Sequence, residues 1–373
     1  MPERAFGLNA WAQPGERSPR SLGAGGLAAV GLCRDWEGLF KYLADHVYWW
    51  LSGTPPHCTQ IYLDRITTMS SRLSRRHFLK STAVGSLAAV ASTTWAGRAA
   101  AMLDTEKVPF KISLAQWSLH KTLQKGELTN MQFPEYTKKE FGIDAVEYVN
   151  SFFKDKARDN DYLTELKQRC EDLGVRSLLI MCDGEGQLGD PNEAGRKKAV
   201  ENHHRWVEAA KFLGCHSIRV NAQSSGDRDT QRDLAADGLG RLGEFAKQHD
   251  INVIVENHGG LSSDGEWLVA VMNQVDMPNV GTLPDFGNFY EYDRYQGVKD
   301  LMPFAKAVSA KSKVFNDQGE EANIDYRKMM DIVLEAGYDG YVGIEWEGGQ
   351  PSEPEGIRLT QKLLEKIRSE RTA

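Results

Sequence analysis

Three short apolar runs in this chain each end in a carboxylate: VIVENHGG at 253–260, LPDFGNF at 283–289 and YVGIEWEGG at 341–349. Runs of this length and composition read as buried strands, which places Glu256, Asp285 and Glu345 at strand carboxyl ends. A lone acid there serves as a salt-bridge or cap partner. Three acids from different strands, brought to one place, repel one another unless a cation or a shared proton intervenes. The chemistry on offer is hard-cation binding, proton transfer, or both.

The elements that would position these acids are regular. Strand candidates fall at 111–119, 145–150, 176–183, 217–222, 252–258, 280–288, 307–315 and 341–348. Between them lie stretches such as 194–214 and 230–250, whose apolar residues recur at three and four, with Gly142, Gly174, Gly214 and Gly337 as stops. Eight strand–helix pairs in about 270 residues match the size and order of a single-domain (β/α)8 TIM barrel. A doubly wound sheet would call for a glycine-rich phosphate loop after the first strand, and QWSLHKTL at 116–123 has no glycine. In a parallel barrel the carboxyl ends of the strands form the active-site face.

The front of the chain reads as an address. No Asp or Glu occurs between Asp64 and Asp104, while Arg72, Arg75, Arg76 and Lys80 precede a small apolar stretch, 81–91, and an alanine tail at 99–101. The string SRRHFLK at 74–80 resembles the twin-arginine export signal, which implies the twin-arginine translocation machinery as a partner, cleavage near Ala101 and a periplasmic destination. A basic amphipathic helix is the alternative. Such a signal stands near an amino terminus, so residues 69–101 are expected to be the signal, from a start at Met69. Residues 1–68 are then an upstream extension, without the pattern of a folded core, and 102–373 the barrel.

Charge and composition narrow the partners. The first 101 residues hold 11 Lys+Arg against 6 Asp+Glu, leaving 34 against 46 in the remaining 272, so nucleic acid is not expected as a partner. An apolar content of 41% suffices for a packed core. Five cysteines, Cys33, Cys58, Cys170, Cys182 and Cys215, show no metal or disulfide spacing.

The trio VENH, LPDFGN and GIEWEG, with GIDAVEYV at 142–149, resembles the xylose-isomerase-like sugar isomerase and epimerase superfamily over roughly 108–370. The resemblance implies metal ligation by Glu256, Asp285 and Glu345, with Glu256 and Glu345 also acting as acid and base on opposite faces of an enediolate. It further implies a histidine ligand on strand seven, in a pattern like His-Val-His-x-Lys. Here that stretch is AVSAKS, with Ser309 at the histidine position and Lys311 retained. Serine is a poor ligand for Mn²⁺ or Zn²⁺, so water or another side chain completes the set. His258, two residues beyond Glu256 and on the same face of a continuing strand, is the candidate. Oxygen donors suit Mg²⁺ or Mn²⁺, and an imidazole moves the choice toward Mn²⁺, Co²⁺ or Zn²⁺.

Other strand ends offer substrate contacts. Lys311 is expected to polarise a carbonyl. Glu147 at the end of strand two reads either as a substrate contact or as a buried ion-pair partner. Arg219 and Asn221 share a parity on strand four, where they bind hydroxyls or a carboxylate, or else fill the barrel. Trp117 and His120 after strand one are placed to stack on and bind a sugar ring, and Glu347 stands behind Glu345.

The expected function is a metal-dependent isomerase or epimerase that moves a proton next to the carbonyl of a sugar or keto-sugar. A lyase or hydratase acting on 3-keto-glycosides would use the same constellation. A non-catalytic sugar-binding barrel is a further alternative. Endonuclease IV shares the superfamily but needs a histidine-rich zinc site that these strand ends lack.

Overall fold

The computed structural model of the chain describes residues 108–372, and the expected export signal and upstream extension at 1–101 lie outside the described residues. Eight parallel strands follow one another with helices between: β1 (Lys111–Ala115), β2 (Ala145–Val149), β3 (Arg176–Met181), β4 (Ser217–Val220), β5 (Asn252–Glu256), β6 (Val280–Leu283), β7 (Val308–Ser312) and β8 (Tyr341–Trp346). Each is followed by a main helix: α1 (Phe133–Phe141), α2 (Asn160–Leu173), α3 (Glu193–Leu213), α4 (Arg228–Lys247), α5 (Gly265–Val275), α6 (Arg294–Leu301), α7 (Tyr326–Glu335) and α8 (Glu353–Glu370). The strands pair in the order β6-β5-β4-β3-β2-β1-β8-β7. Parallel bridges Thr282↔Ala305 and Asp285↔Ser309 close the remaining seam. The result is the expected (β/α)8 barrel.

Alternation along the strands divides the apolar residues into two compartments. Ile112, Leu114, Val146, Tyr148, Ile180, Ile218, Val253, Val255, Val342, Ile344 and Trp346 face outward into the core beneath the helices. Inside the barrel a smaller cluster of Ala115, Val149, Leu179, Met181, Ile254, Leu283 and Ala307 fills the space between strands. Ser113, Glu147, Arg219, Glu256, Ser309, Lys311 and Glu345 share the parity of that inner set and are buried with it. The three cysteines among the described residues are free and buried.

Several strands are shorter than their apolar runs, for local reasons. β6 stops at Leu283 because Pro284 has no N–H to continue the ladder, although its carbonyl still accepts from Ser309 N at 2.9 Å. β1 gives way at Gln116 to a 3₁₀ turn whose side chains serve neighbouring backbones. Gln116 Oε1 accepts from Val149 N at 2.9 Å, and Ser118 Oγ both donates to Ile344 O and accepts from Trp346 N. The four glycines expected to stop helices all take positive φ, between 63° and 80°.

Helix α4 lies hard against the loop that follows β3. A Cβ on Gly238 would fall 1.8 Å from the carbonyl oxygen of Leu188, whereas one on Gly240, in the same helix, meets no atom within 4 Å. Gly238→Ala should therefore cost about 1–3 kcal/mol, as overpacked positions do. Gly240→Ala should be neutral or stabilising. Thermal unfolding of the two variants checks this, and equal melting temperatures would contradict the packing described.

Candidate active site

Register brings the three strand-end acids together. Glu256 closes β5, Asp285 follows Pro284 just past β6, and Glu345 lies in β8, and among the described residues they form a group whose ligand oxygens all lie within 4.8 Å of one another. Their exposures are 0%, 0% and 3%. Asp285 lies past the end of the β5–β6 ladder, while the β7 side still pairs with it through Ser309. The Asn257 side chain accepts from Asp285 N at 2.8 Å and donates to Asp285 O at 3.0 Å, so an amide takes the place of the missing ladder. The carboxylate then folds back on its own loop, with Oδ1 accepting from Gly287 N at 2.9 Å and Asn288 N at 2.8 Å. Asn288 in turn donates through Nδ2 to Glu256 Oε1 at 2.9 Å, and its Oδ1 lies 3.3 Å from Lys311 Nζ.

Ser309 is the link between two of the acids. Its Oγ stands 2.7 Å from Asp285 Oδ2 and 2.7 Å from Glu345 Oε2. A hydroxyl has one proton, so it satisfies one of these carboxylates, and the other needs a second proton or a cation. Two like charges 4.8 Å apart repel by roughly 3 kcal/mol at an effective dielectric of about 20. Lys311 meets part of this deficit, with Nζ 3.4 Å from Glu345 Oε1, 3.9 Å from Asp285 Oδ2 and 3.3 Å from Glu347 Oε1. Burial works against its ammonium, but Asp285, Glu345, Glu256 and Glu347 outweigh it and hold the lysine charged, its pKa raised well above the ordinary value. Burial, reinforced by Glu345, still pushes both Glu256 and Asp285 up to about 7, against the pull of Arg219 and Lys311. The group is short of positive charge.

A hard divalent cation fits that shortage. The donors are all oxygen, they come from three separate strands, and Glu256 Oε2 has no hydrogen-bond donor even though Arg219 Nε lies 2.8 Å away, the pair being close but out of line. Such a buried acidic group could bind a metal ion.

The other residues singled out from the sequence fall in different places. His258 is exposed on the loop after β5 and is not in the carboxylate group. The parity that placed it beside Glu256 ends with the strand, and by Gly259 the backbone has turned to φ 88°. Glu147 does not reach the mouth. It sits in the middle of β2, 1% exposed, accepting from Ser113 Oγ at 2.6 Å beneath Gly343, where an added Cβ would fall 2.5 Å from its carboxylate. Burial pushes it up to about 7. Arg219 and Asn221 do share a side, and both are engaged by Asp183, with Arg219 Nη1 and Asn221 Nδ2 each 2.8 Å from Asp183 Oδ1. Arg219 therefore spans Asp183 and Glu256. Trp117 and His120 stack on the rim with ring centroids 4.8 Å apart, and Trp117 Nε1 donates to Glu347 Oε1 at 3.0 Å. The sequence assigns no role to Asn257 or Asn288. The signal was present, since each follows a candidate acid by one or three residues, but an amide near a strand end has too many bland roles to stand out.

Over residues 138–367, more than half of the chain, the sequence matches the family described as Xylose isomerase-like TIM barrel, and the chain belongs to that family. No curated protein sequence matches it. Solved structures share the fold at low identity. A D-tagatose 3-epimerase-like protein superposes with a TM-score of 0.56 at 20% identity, covering 71% of this chain and 100% of its own. The 3-keto-D-glucoside 4-epimerase YcjR from E. coli does so at 0.56 and 17%, covering 69% and 99%. A Xylose isomerase-like TIM barrel protein from Mycobacterium smegmatis, in complex with magnesium, gives 0.55 and 17%, covering 70% and 97%.

The raised carboxyls make stability depend on pH with a definite sign. Glu147, Glu256 and Asp285 move to about 7 from ordinary values of 4.5, 4.5 and 3.8. The stability they contribute is complete below the ordinary values and is lost as pH rises through about 7. In chelator at pH 8, Asp285→Asn should melt higher than the parent protein, because it removes one of the crowded charges while its amide can still meet Ser309. The gap should close near pH 5. Mg²⁺ or Mn²⁺ at pH 8 should raise the melting temperature of the parent and not of the variant. A variant that melts lower in chelator at pH 8, or responds equally to the ion, would count against this account of the group.

Proposed function

We propose that the chain is a metal-dependent isomerase or epimerase of sugars or keto-sugars, acting by proton transfer next to a carbonyl. The observation that carries this reading is the convergence of Glu256, Asp285 and Glu345 within 4.8 Å, with the charged Lys311 against them. A divalent ion held by those three carboxylates, with Mg²⁺ and Mn²⁺ suiting the oxygen donors best and Zn²⁺ or Co²⁺ as the alternatives, would polarise the substrate oxygens.

The chain's own residues divide the remaining work. Glu256, a buried carboxylate at the end of β5, suits proton abstraction, and Asn288 fixes its Oε1. Glu345 would supply a proton from its own carboxyl to the opposite face of the enediolate, leaving the abstracted proton on Glu256. Lys311 keeps its charge through the reaction and faces the oxyanion of the enediolate as it forms. Asp285, pinned by Asn257 and two backbone N–H groups, takes no part in proton transfer and keeps the group's geometry.

The same abstraction at C2 of a 3-keto-glycoside would expel the C1 substituent. We keep this lyase reading second; one structural neighbour is a 3-keto-D-glucoside 4-epimerase. Incubation with a panel of sugars and 3-keto-glycosides in D₂O separates the two by NMR. Isomerisation or epimerisation places deuterium next to the carbonyl, and elimination releases the C1 group. Lys311→Met should lower kcat and kcat/KM together by about 10²-fold or more, since the lost interaction belongs to the transition state. Absence of both deuterium incorporation and C1-group release across the panel would sink the proposal.

We further propose that the chain is exported through the twin-arginine machinery, on the strength of Arg75 and Arg76 within SRRHFLK. Changing both to lysine should leave the protein in the cytoplasm on fractionation. Amino-terminal sequencing of an extracytoplasmic form that still carried residues 1–68 would refute both the signal and the start at Met69.

A further inference from the structure

A cavity of about 330 Å³ opens beside Lys311, between the loop after β6 and the loop after β7. It is the size of a small-ligand site. Its lining includes three cations, Lys311, Lys313 and Arg294, and one acid, Glu321. That acid offers the cavity nothing. Glu321 is 6% exposed, and its two oxygens accept from the backbone N–H groups of Lys313, Val314, Asn323 and Ile324. Those four bonds hold the β7 loop in the shape that carries Lys313. Lys313 is half-exposed and leans on Glu347 at 3.4 Å, while Lys311 is committed to the carboxylate group. Arg294 is partly buried on the first turn of α6 and has no carboxylate partner among the described residues. An arginine fork without a counterion, set into a cavity wall, matches the planar oxygens of a carboxylate or the oxygens of a phosphate or sulfate. Tyr290, 71% exposed on the same rim, offers an aromatic face to a sugar ring.

We propose that this cavity holds the end of the substrate remote from the reacting carbons, and that this end carries an anionic group bound by Arg294 with Lys313. The proposal rests on the sugar-processing reading of the carboxylate site and adds the substrate class: an acidic sugar, meaning a uronate or a sugar phosphate or sulfate. Lys311 is the boundary between the two sites, because its stem lies 3.0 Å from where a Cβ of Gly287 would be and its ammonium faces the acids. A side chain at position 287 would therefore press on that stem.

Calorimetric titration of the purified protein at low salt tests this with matched pairs: glucuronate against glucose, galacturonate against galactose, and the 6-phosphate and 6-sulfate of glucose against glucose. At least one charged member should bind about tenfold or more tightly than its neutral partner, and added salt should shrink the difference. In Arg294→Gln the preference should fall toward one, and Arg294→Lys should retain part of it, with unchanged melting temperatures showing both variants folded. The anion that wins tells carboxylate from phosphate or sulfate. Equal affinity for charged and neutral sugars, binding of none of the charged ones, or a preference that survives in Arg294→Gln would overturn the proposal. Because the titration needs no turnover, it can fail while deuterium exchange succeeds, and the reverse.

Discussion

Three carboxylates share one small volume at the barrel mouth, shielded from water, and their mutual repulsion is the constraint around which the site is arranged. Desolvation removes the screening that would make such a cluster cheap on a surface. The protein answers with cations at two sides. Arg219 spans Asp183 and Glu256, and Lys311 spans Asp285, Glu345 and Glu347. These do not suffice, as the upward shift of Glu256 and Asp285 and the single proton of Ser309 both indicate. A site left short of positive charge can take up a proton or a metal ion.

The backbone supports that arrangement by a substitution of roles at the sheet's edge. Pro284 ends the β6 ladder one residue before the acid that matters, and Asp285, two residues on from the inward Leu283, keeps the inward parity. Asn257, the residue after Glu256, supplies with its amide the two hydrogen bonds the ladder gives up. The bridge Asp285↔Ser309 then closes the barrel at the point where the acids meet. The same bridge thus closes the barrel and helps to place the acids, and Asn257 braces it through Asp285.

Polar residues inside the barrel carry the site down into the fold. Glu147 and Ser113 occupy the layer beneath Glu345, in space that Gly343 leaves by having no side chain. Glu147 adds a further buried acid to the same field, raised by burial and by Glu345 and Glu256. On the other side of Lys311 the balance reverses, with Arg294 and Lys313 in the wall of a cavity whose one acid is spent on backbone N–H groups. An acidic group beside a cationic cavity gives the barrel mouth a polarity from one side of Lys311 to the other.

The amino-acid sequence by itself determined the alternation of eight strands and helices, and the placing of Glu256, Asp285 and Glu345 at strand carboxyl ends. Both follow from local patterns: apolar period, glycine stops and chain direction. It also determined that Ser309 and Lys311 share a face of β7, since parity holds within a strand. Parity stops applying where a strand ends early, as at His258 beyond β5, and Glu147 lies at the centre of β2 rather than at its end. Only the tertiary structure decided that Ser309 joins Asp285 to Glu345, that Arg219 is claimed by Asp183 and Glu256, and that Asn257 holds Asp285. Each of these depends on the register between strands far apart in sequence, and register is set by the closure of the whole barrel, which no local pattern contains.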